Sequence, residues 1–244
     1  MTDFAGKSYL VVGGSSGIGL ATAQHLAEAG ATVLVWSRHV GDELKALMDS
    51  NNSVSHHEID VTDDGDVAGA EIPNELDGLV YCPGSITLGS FRQLKSEQYR
   101  DDFEINVVGA VNVLKRSLQA LARGGGGSVV LFSTVAVRIG LSFHASIAAA
   151  KGAVEGLAKS LAAELAGKNV RVNVVAPSAT DTPLAEGILG SEQKRQSSAE
   201  RHPLKRVGDA GEVAEAVGFL LSEKAGWVTG QVLGIDGGLA SVRP

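Results

Sequence analysis

Cysteine and long apolar runs are scarce in this sequence. Its 244 residues include one cysteine, Cys82, which rules out intrachain disulfide bonds and fits a reducing compartment. No apolar run is long enough to cross a bilayer. The segment Met1–Lys7 lacks the charged and then apolar layout of a signal peptide. We therefore expect a cytoplasmic protein without a membrane partner.

Basic residues are too few for a nucleic-acid-binding protein. The formal net charge is −7, whereas affinity for a phosphate backbone needs clustered Lys and Arg. We predict no metal site. Cys82 ends the apolar run Leu79–Cys82, and it is interpreted as a small packed hydrophobe rather than a nucleophile.

What is present is an alternation of short apolar runs with longer helical patterns. It predicts a single doubly wound α/β domain of the Rossmann type over 1–244, with a seven-stranded parallel sheet and helices on both faces. The predicted strands are Ser8–Val12, Thr32–Trp36, Ser53–Ile59, Gly78–Cys82, Gly127–Ser133, Val170–Ala176 and Val232–Ile235, and the predicted helices are Ile18–Ala29, Asp42–Met48, Glu97–Arg123, Ser146–Leu165 and Ala210–Leu221.

The sequence predicts a different local structure for each of three connecting segments. The glycines of 124–127 predict a helix-to-strand turn rather than a domain linker. Thr62–Asp77 is interrupted by Pro73, so we expect a stunted helix there. Thr182–His202 is polar and irregular, which predicts a binding loop or lid that selects the substrate.

A glycine-rich segment, Gly13–Gly19, follows the first predicted strand and opens the first helix. Glycines at 13, 17 and 19 permit a tight turn and a close approach of the backbone to a pyrophosphate. The helix N-terminus then offers free N–H groups and a positive dipole end to the phosphates. Alone, such a segment is also compatible with a structural turn. The predicted phosphate-binding residues are Gly13, Ser15, Ser16, Gly17, Ile18 and Gly19.

Candidate dinucleotide-binding residues also follow the second and third predicted strands. Arg38 follows the second strand, where an acidic residue would hold the ribose hydroxyls of NAD. Its guanidinium can instead pair with a 2′-phosphate, so the sequence favours NADP over NAD, unless Arg38 is a solvated surface charge. Asp60 and Val61 follow the third strand. Asp60 can accept a hydrogen bond from the adenine amino group, or cap a turn.

The chain resembles the short-chain dehydrogenases/reductases along essentially its whole length, and in particular the compact β-ketoacyl carrier-protein reductases. The resemblance rests on Gly13–Gly19, Asp60-Val61, Asn106, Lys151, Arg171–Pro177, Thr229–Gln231 and Asp236–Gly238. It implies a nicotinamide-dependent oxidoreductase that acts on a small molecule. It also implies a homo-oligomer, a tetramer or a dimer, with its main interface on the helices Glu97–Arg123 and Ser146–Leu165.

The resemblance implies a relay of Asn, Ser, Tyr and Lys, from which this sequence departs. Asn106 and Lys151 match, Thr134 replaces the serine, and Ile147 stands in place of the tyrosine. The resemblance further implies that the cofactor is contacted by Lys151, through its ribose, and by Pro83, Gly84, Pro177 and Thr182.

Isoleucine can neither give nor take a proton, so the sequence leaves the proton source open. His144 lies three residues before Ile147, and histidine is a competent acid. A water held by Thr134 and Lys151 is an equal alternative. Three functions follow: an NADP(H)-dependent carbonyl reductase or alcohol dehydrogenase with an altered relay, a non-redox dehydratase, isomerase or lyase, and a dinucleotide-binding protein without catalysis.

Overall fold

The computed structural model describes residues 4–243. The predicted range 1–244 and the segment Met1–Lys7 therefore each extend beyond the described residues. The strands are β1 (Ser8–Val12), β2 (Thr32–Ser37), β3 (Val54–Glu58), β4 (Gly78–Tyr81), β5 (Ser128–Phe132), β6 (Arg171–Pro177), β7 (Thr180–Asp181), β8 (Gly208–Asp209) and β9 (Val232–Ile235).

Helices connect these strands. They are α1 (Gly17–Glu28), α2 (Asp42–Ser50), α3 (Asp64–Gly69), α4 (Ser96–Phe103), α5 (Gly109–Arg123), α6 (Val135–Ile139), α7 (Ala145–Leu165), α8 (Glu186–Leu189), α9 (Glu192–Arg201) and α10 (Ala210–Leu221).

Seven strands form one parallel sheet in the order β3-β2-β1-β4-β5-β6-β9. The predicted doubly wound α/β fold is therefore confirmed. After β1 the chain builds outward through β2 and β3, and it then returns to the other side of β1 with β4. This reversal leaves a crevice at the carboxyl ends of β1 and β4, where ligands bind in such sheets.

The sheet separates two apolar layers. Along β1, Leu10 and Val12 pack into one layer, while Tyr9 and Val11 pack into the other. Both faces of a parallel sheet are covered by helices, so its central strands are apolar on both sides. Edge strand β3 departs from this pattern and carries His56 and His57. The core thus fixes the sheet from which the site loops extend.

Two predicted segments differ from the structure. The helix predicted over Glu97–Arg123 is interrupted by a π-helical turn at Glu104–Val108, which lies between α4 and α5. Such turns occur often at functional sites. Thr182–His202 was predicted to be irregular and is mainly helical, because Pro183–Ala185 forms a 3₁₀ turn and α8 and α9 follow. Its low hydrophobicity reflects exposed short helices, and Ser191 caps α9 by accepting from the Lys194 N–H.

The two remaining segment predictions are confirmed. The stunted helix is α3, six residues long, and Asp63 caps it by accepting from the N–H groups of Gly65 and Asp66. The glycines of 124–127 connect the end of α5 with the start of β5. Gly125 and Gly126 have φ of 89° and 121°, which L side chains rarely adopt.

Candidate active site

A cleft of about 1120 Å³ opens at the carboxyl ends of the strands. Its volume reaches the upper range for small-molecule sites, so a ligand larger than a simple metabolite fits it. The cleft brings together every predicted site residue except Asn106. Asn106 is buried in the π-helical turn behind the wall of the cleft.

The glycine-rich segment has the cradle geometry that phosphate binding requires. Gly13 and Gly17 have φ of 74° and 53°. A Cβ at Gly19 would lie 2.2 Å from the Gly13 carbonyl oxygen, so only glycine fits there. Ser16, the N-cap of α1, makes no side-chain hydrogen bond to the helix. The first N–H groups of a twelve-residue helix therefore remain free to bind an anion.

Arg38 and Asp60 lie at the adjoining strand ends. Arg38 is exposed and lines the cleft, with no ion-pair partner within the described part of the chain. Asp60 Oδ1 accepts from Thr62 N at 2.9 Å and from Thr62 Oγ1 at 2.7 Å. These two bonds lower the pKa of Asp60, so the carboxylate is charged and acts as an acceptor at neutral pH.

Lys151 and Asn106 meet at Gly84. A Cβ at Gly84 would lie 3.1 Å from Asn106 Oδ1 and 3.3 Å from Lys151 Nζ. The Asn106 amide donates to the Asp102 carbonyl oxygen at 2.7 Å and to Ser85 Oγ at 3.1 Å, while its Oδ1 has no partner. A buried unpaired acceptor calls for a donor from water or ligand, so Oδ1 is an open binding position.

Burial dominates the electrostatics of Lys151, which is 8% exposed. Burial lowers the pKa of its ammonium to about 8, and the charges of Cys82 and Asp102 oppose that shift. The same burial raises the pKa of the Cys82 thiol to about 12. Cys82 is thus a neutral thiol near pH 7, which makes it a poor nucleophile.

Ile147 lies on α7 and contributes to the cleft wall with 4% of its surface exposed. Thr134 caps α6 by accepting from the Ala136 N–H at 3.3 Å, so its hydroxyl proton remains free for another acceptor. Ser133, the alternative hydroxyl, donates to Glu155 Oε1 at 2.6 Å. His144 is the N-cap of α7, and its Nδ1 is 2.7 Å from the Ser142 carbonyl oxygen.

Sequence reasoning missed a buried carboxylate next to this site. Asp102 is fully buried, and its carboxylate accepts from the hydroxyls of Ser85, Thr87 and Ser146. The signal that could have found it is its spacing, because Asp102 precedes Asn106 by about one helical turn.

No group of three or more metal-binding side chains occurs among residues 4–243. Over the same range, no helix is both long and apolar enough to span a bilayer.

Comparison with known proteins gives the family. A family profile described as enoyl-(acyl carrier protein) reductase matches residues 12–240. The cis-4-hydroxycyclohexanecarboxylate dehydrogenase of Sinomonas cyclohexanicum is 36% identical, and the alignment covers 98% of each chain. The chain belongs to the short-chain dehydrogenase/reductase family.

Two further short-chain dehydrogenases/reductases show the same extent of similarity. The 3-oxoacyl-(acyl-carrier-protein) reductase FabG of Thermotoga maritima is 34% identical over 96% of this chain and 98% of its own. A short-chain type dehydrogenase/reductase from Mycobacterium ulcerans is 33% identical and superposes with a TM-score of 0.88 over 98% of this chain and 92% of its own. The family is one of oxidoreductases that use a nicotinamide dinucleotide.

Proposed function

We propose that the protein is an NADP(H)-dependent oxidoreductase that interconverts a carbonyl and an alcohol, with a proton relay that lacks the tyrosine of its family. The observation that carries the proposal is that Gly13–Gly19 and Lys151 line one cleft, with the unpaired Asn106 Oδ1 close behind Gly84 in its wall. When bound, the dinucleotide supplies the hydride. The fold positions the dinucleotide, and the side chains of the cleft bind and transfer the proton.

The cradle supports dinucleotide binding at the pyrophosphate. Free N–H groups at the start of α1 suit an anion, and the missing Cβ atoms at Gly13 and Gly19 let the turn pack closely against Pro83 and against itself. Asp60 is a charged acceptor suited to an exocyclic amine. The remaining contacts with the dinucleotide are assigned to residues that line the same cleft, namely Pro83, Gly84, Pro177 and Thr182.

Arg38 supports NADP as the preferred form. Its guanidinium is exposed in the cleft and forms no direct ion pair in the described residues, while its charge helps to lower the pKa of Asp60. It can pair with a 2′-phosphate in a bidentate manner. An acidic group at this position would instead have favoured NAD. Ser15 and Ser16 add hydroxyl donors at the same end of the cleft.

At the reacting end, Lys151 is assigned to the nicotinamide ribose and Thr134 to the substrate oxygen. Ile147 takes the place of the tyrosine and adds an apolar wall. The proton then comes through a water held by Lys151 and Thr134, which both line the cleft, because the Thr134 hydroxyl proton is free. His144 is a weaker candidate, since its Nδ1 already contacts Ser142 and its Nε2 alone is available.

A second function deserves a test, because the buried Ile147 side chain fills a position where catalysis needs an acid. In that case the protein binds the dinucleotide without turnover and acts as a sensor or partner. Calorimetry with NADPH and NADP decides whether binding occurs at all. A carbonyl and alcohol panel followed at the nicotinamide absorbance then separates the two functions.

The oxidoreductase proposal predicts turnover with at least one member of the panel. Thr134→Ala should lower the rate with little effect on dinucleotide affinity, whereas Lys151→Ala should weaken dinucleotide binding as well. Thr32→Ala makes the same substitution at an exposed threonine outside the cleft lining and serves as the control. Tight binding with no turnover would favour the sensor, and no binding of either dinucleotide would contradict both functions.

A homo-oligomer is the proposed assembly, with its main interface on the helices of Glu97–Arg123 and Ser146–Leu165. Exposed aromatic side chains outside those helices support a further contact. Trp227 is fully exposed and Phe219 on α10 is 45% exposed, and burial of such side chains stabilises interfaces. Sedimentation velocity would distinguish a tetramer, a dimer and a monomer. A decrease in assembly size in Trp227→Ser would locate the contact.

A further inference from the structure

Asp102 is fully buried, and it is held by three hydroxyl groups from two other segments. Ser85 Oγ donates to Oδ1 at 2.5 Å and Thr87 Oγ1 at 2.8 Å, while Ser146 Oγ donates to Oδ2 at 2.6 Å. Ser85 and Thr87 lie in the loop after β4, and Ser146 lies in the first turn of α7. The carboxylate thus joins α4, the loop after β4 and the helix that carries Lys151.

The three hydroxyl groups supply the donors that an ionised carboxylate accepts. Burying such a charge is costly unless an opposite charge or several hydrogen bonds offset the cost. In residues 4–243, no basic side chain lies within ion-pair distance of Asp102. The three hydrogen bonds offset part of this cost, and a cation beyond ion-pair distance can offset more of it.

Lys151 is that cation. It is itself buried, and Asp102 is one of two ionisable groups whose charge favours the ammonium form. The other is Cys82, which is a neutral thiol near pH 7. Asp102 is thus the one negative charge acting on Lys151 at neutral pH among these groups.

A chain of hydrogen bonds runs from Asp102 through Ser85 to Asn106, and it ends close to Lys151. Ser85 Oγ donates to Asp102 and accepts from the Asn106 amide. Asn106 then presents its free Oδ1 at Gly84, next to Lys151 Nζ. Two acceptors oppose rotation of the Asn106 amide, because the Asp102 carbonyl oxygen accepts from the same nitrogen as Ser85 Oγ. Asp102 therefore acts on both polar groups that meet at Gly84.

We propose that Asp102 is a positioning residue of the site: it is the internal counter-charge that keeps Lys151 an ammonium ion, and through Ser85 it orients Asn106 Oδ1 toward the cleft. The role attributed to those two groups rests on the proposed function. The coupling between Asp102 and Lys151 does not, because it is a property of the ligand-free chain. With no tyrosine at 147 to contribute a phenolate, this carboxylate is the charge that holds Lys151 in its binding form.

The test follows the titration of Lys151 in lysine-labelled protein by the ¹³Cε chemical shift, with the resonance assigned from Lys151→Arg. In Asp102→Asn, which keeps the shape and removes the charge, the Lys151 midpoint should fall by about one pH unit. Asp101→Asn makes the same change at the exposed neighbouring position and should leave the midpoint unchanged. An unaltered midpoint in folded Asp102→Asn would overturn the proposal, even if its melting temperature fell.

The reciprocal measurement covers the case in which Asp102→Asn does not fold. Coupling between two sites is symmetric, so Lys151→Met should raise the midpoint of the Asp102 carboxyl carbon by about the same amount. No change there would contradict the counter-charge. Both titrations use the protein without ligand. Failure to bind a dinucleotide would contradict the proposed function. The two titrations would still decide whether Asp102 is coupled to Lys151.

Discussion

Ile147 and Lys151 lie one helical turn apart on the buried face of α7, and both contribute to the cleft wall. An apolar side chain thus adjoins a buried ammonium, and residues four apart on a helix are neighbours. A group that exchanges a proton with the substrate has to come from elsewhere in the cleft. The source of the proton is therefore the open question for the part of the cleft wall that α7 forms.

Placing a phenol at position 147 is the most direct test of the proposed relay. Ile147→Tyr should raise carbonyl reductase activity by about 10²–10⁴, which is the usual contribution of a general acid. Ile147→Phe, of similar size without the hydroxyl, should give no such gain. Single-turnover NADPH oxidation measures the difference. Equal rates in the two variants would mean that the rest of the site is not arranged for carbonyl reduction.

Reversal of the charge at position 38 tests the cofactor preference. Arg38→Asp should weaken NADP binding relative to NAD by about tenfold or more, because a charge-assisted hydrogen bond to phosphate is lost and repulsion replaces it. Arg92→Asp makes the same substitution at an exposed residue that does not line the cleft. Calorimetric affinities for both dinucleotides give the ratio. An unchanged ratio would show that Arg38 is a solvated surface charge.

The glycine cradle is tested by adding one methyl group. Gly19→Ala would place a Cβ 2.2 Å from the Gly13 carbonyl oxygen, so the loop has to move and dinucleotide affinity should fall at least tenfold. Gly69→Ala adds the same methyl group to open space at the end of α3 and should preserve affinity. Wild-type affinity in Gly19→Ala would argue against phosphate binding at this loop.

Buried Lys151 predicts a pH dependence of stability. Its pKa is about 8 in the folded protein, below its ordinary value of 10.5. Between these two pH values the unfolded chain binds more protons, so the free energy of unfolding should rise with pH in that window. Urea unfolding should therefore show the wild type gaining stability relative to Lys151→Met from pH 8 to 10. Parallel profiles for the two proteins would contradict a lowered pKa.

The alternation of apolar runs and helical patterns was enough to predict the sheet. Each strand prediction falls within two residues of an observed boundary, because strands covered on both faces are apolar throughout. The segment Thr182–His202 was predicted less well. Its helices are exposed and short, so they leave no apolar periodicity, and α9 depends instead on local capping by Ser191.

The site residues likewise divide into those that chain order places and those that only tertiary packing brings together. Gly13–Gly19, Arg38 and Asp60 lie directly at strand ends, so the chain order alone places them at one edge of the sheet. Asp102 and its hydroxyl partners come from positions 15 to 44 residues apart. No local pattern marks such a set.

The sequence by itself determined the doubly wound fold, the cradle at Gly13–Gly19 and the isoleucine at position 147. These depend on local periodicity, on glycine's missing side chain and on residue identity. Only the tertiary structure decided that Asp102 is buried beside Lys151, that Asn106 Oδ1 lacks a partner, and that the pKa of Lys151 is lowered. Burial and long-range electrostatics depend on which segments pack together, and that information is not contained in any one stretch of the chain.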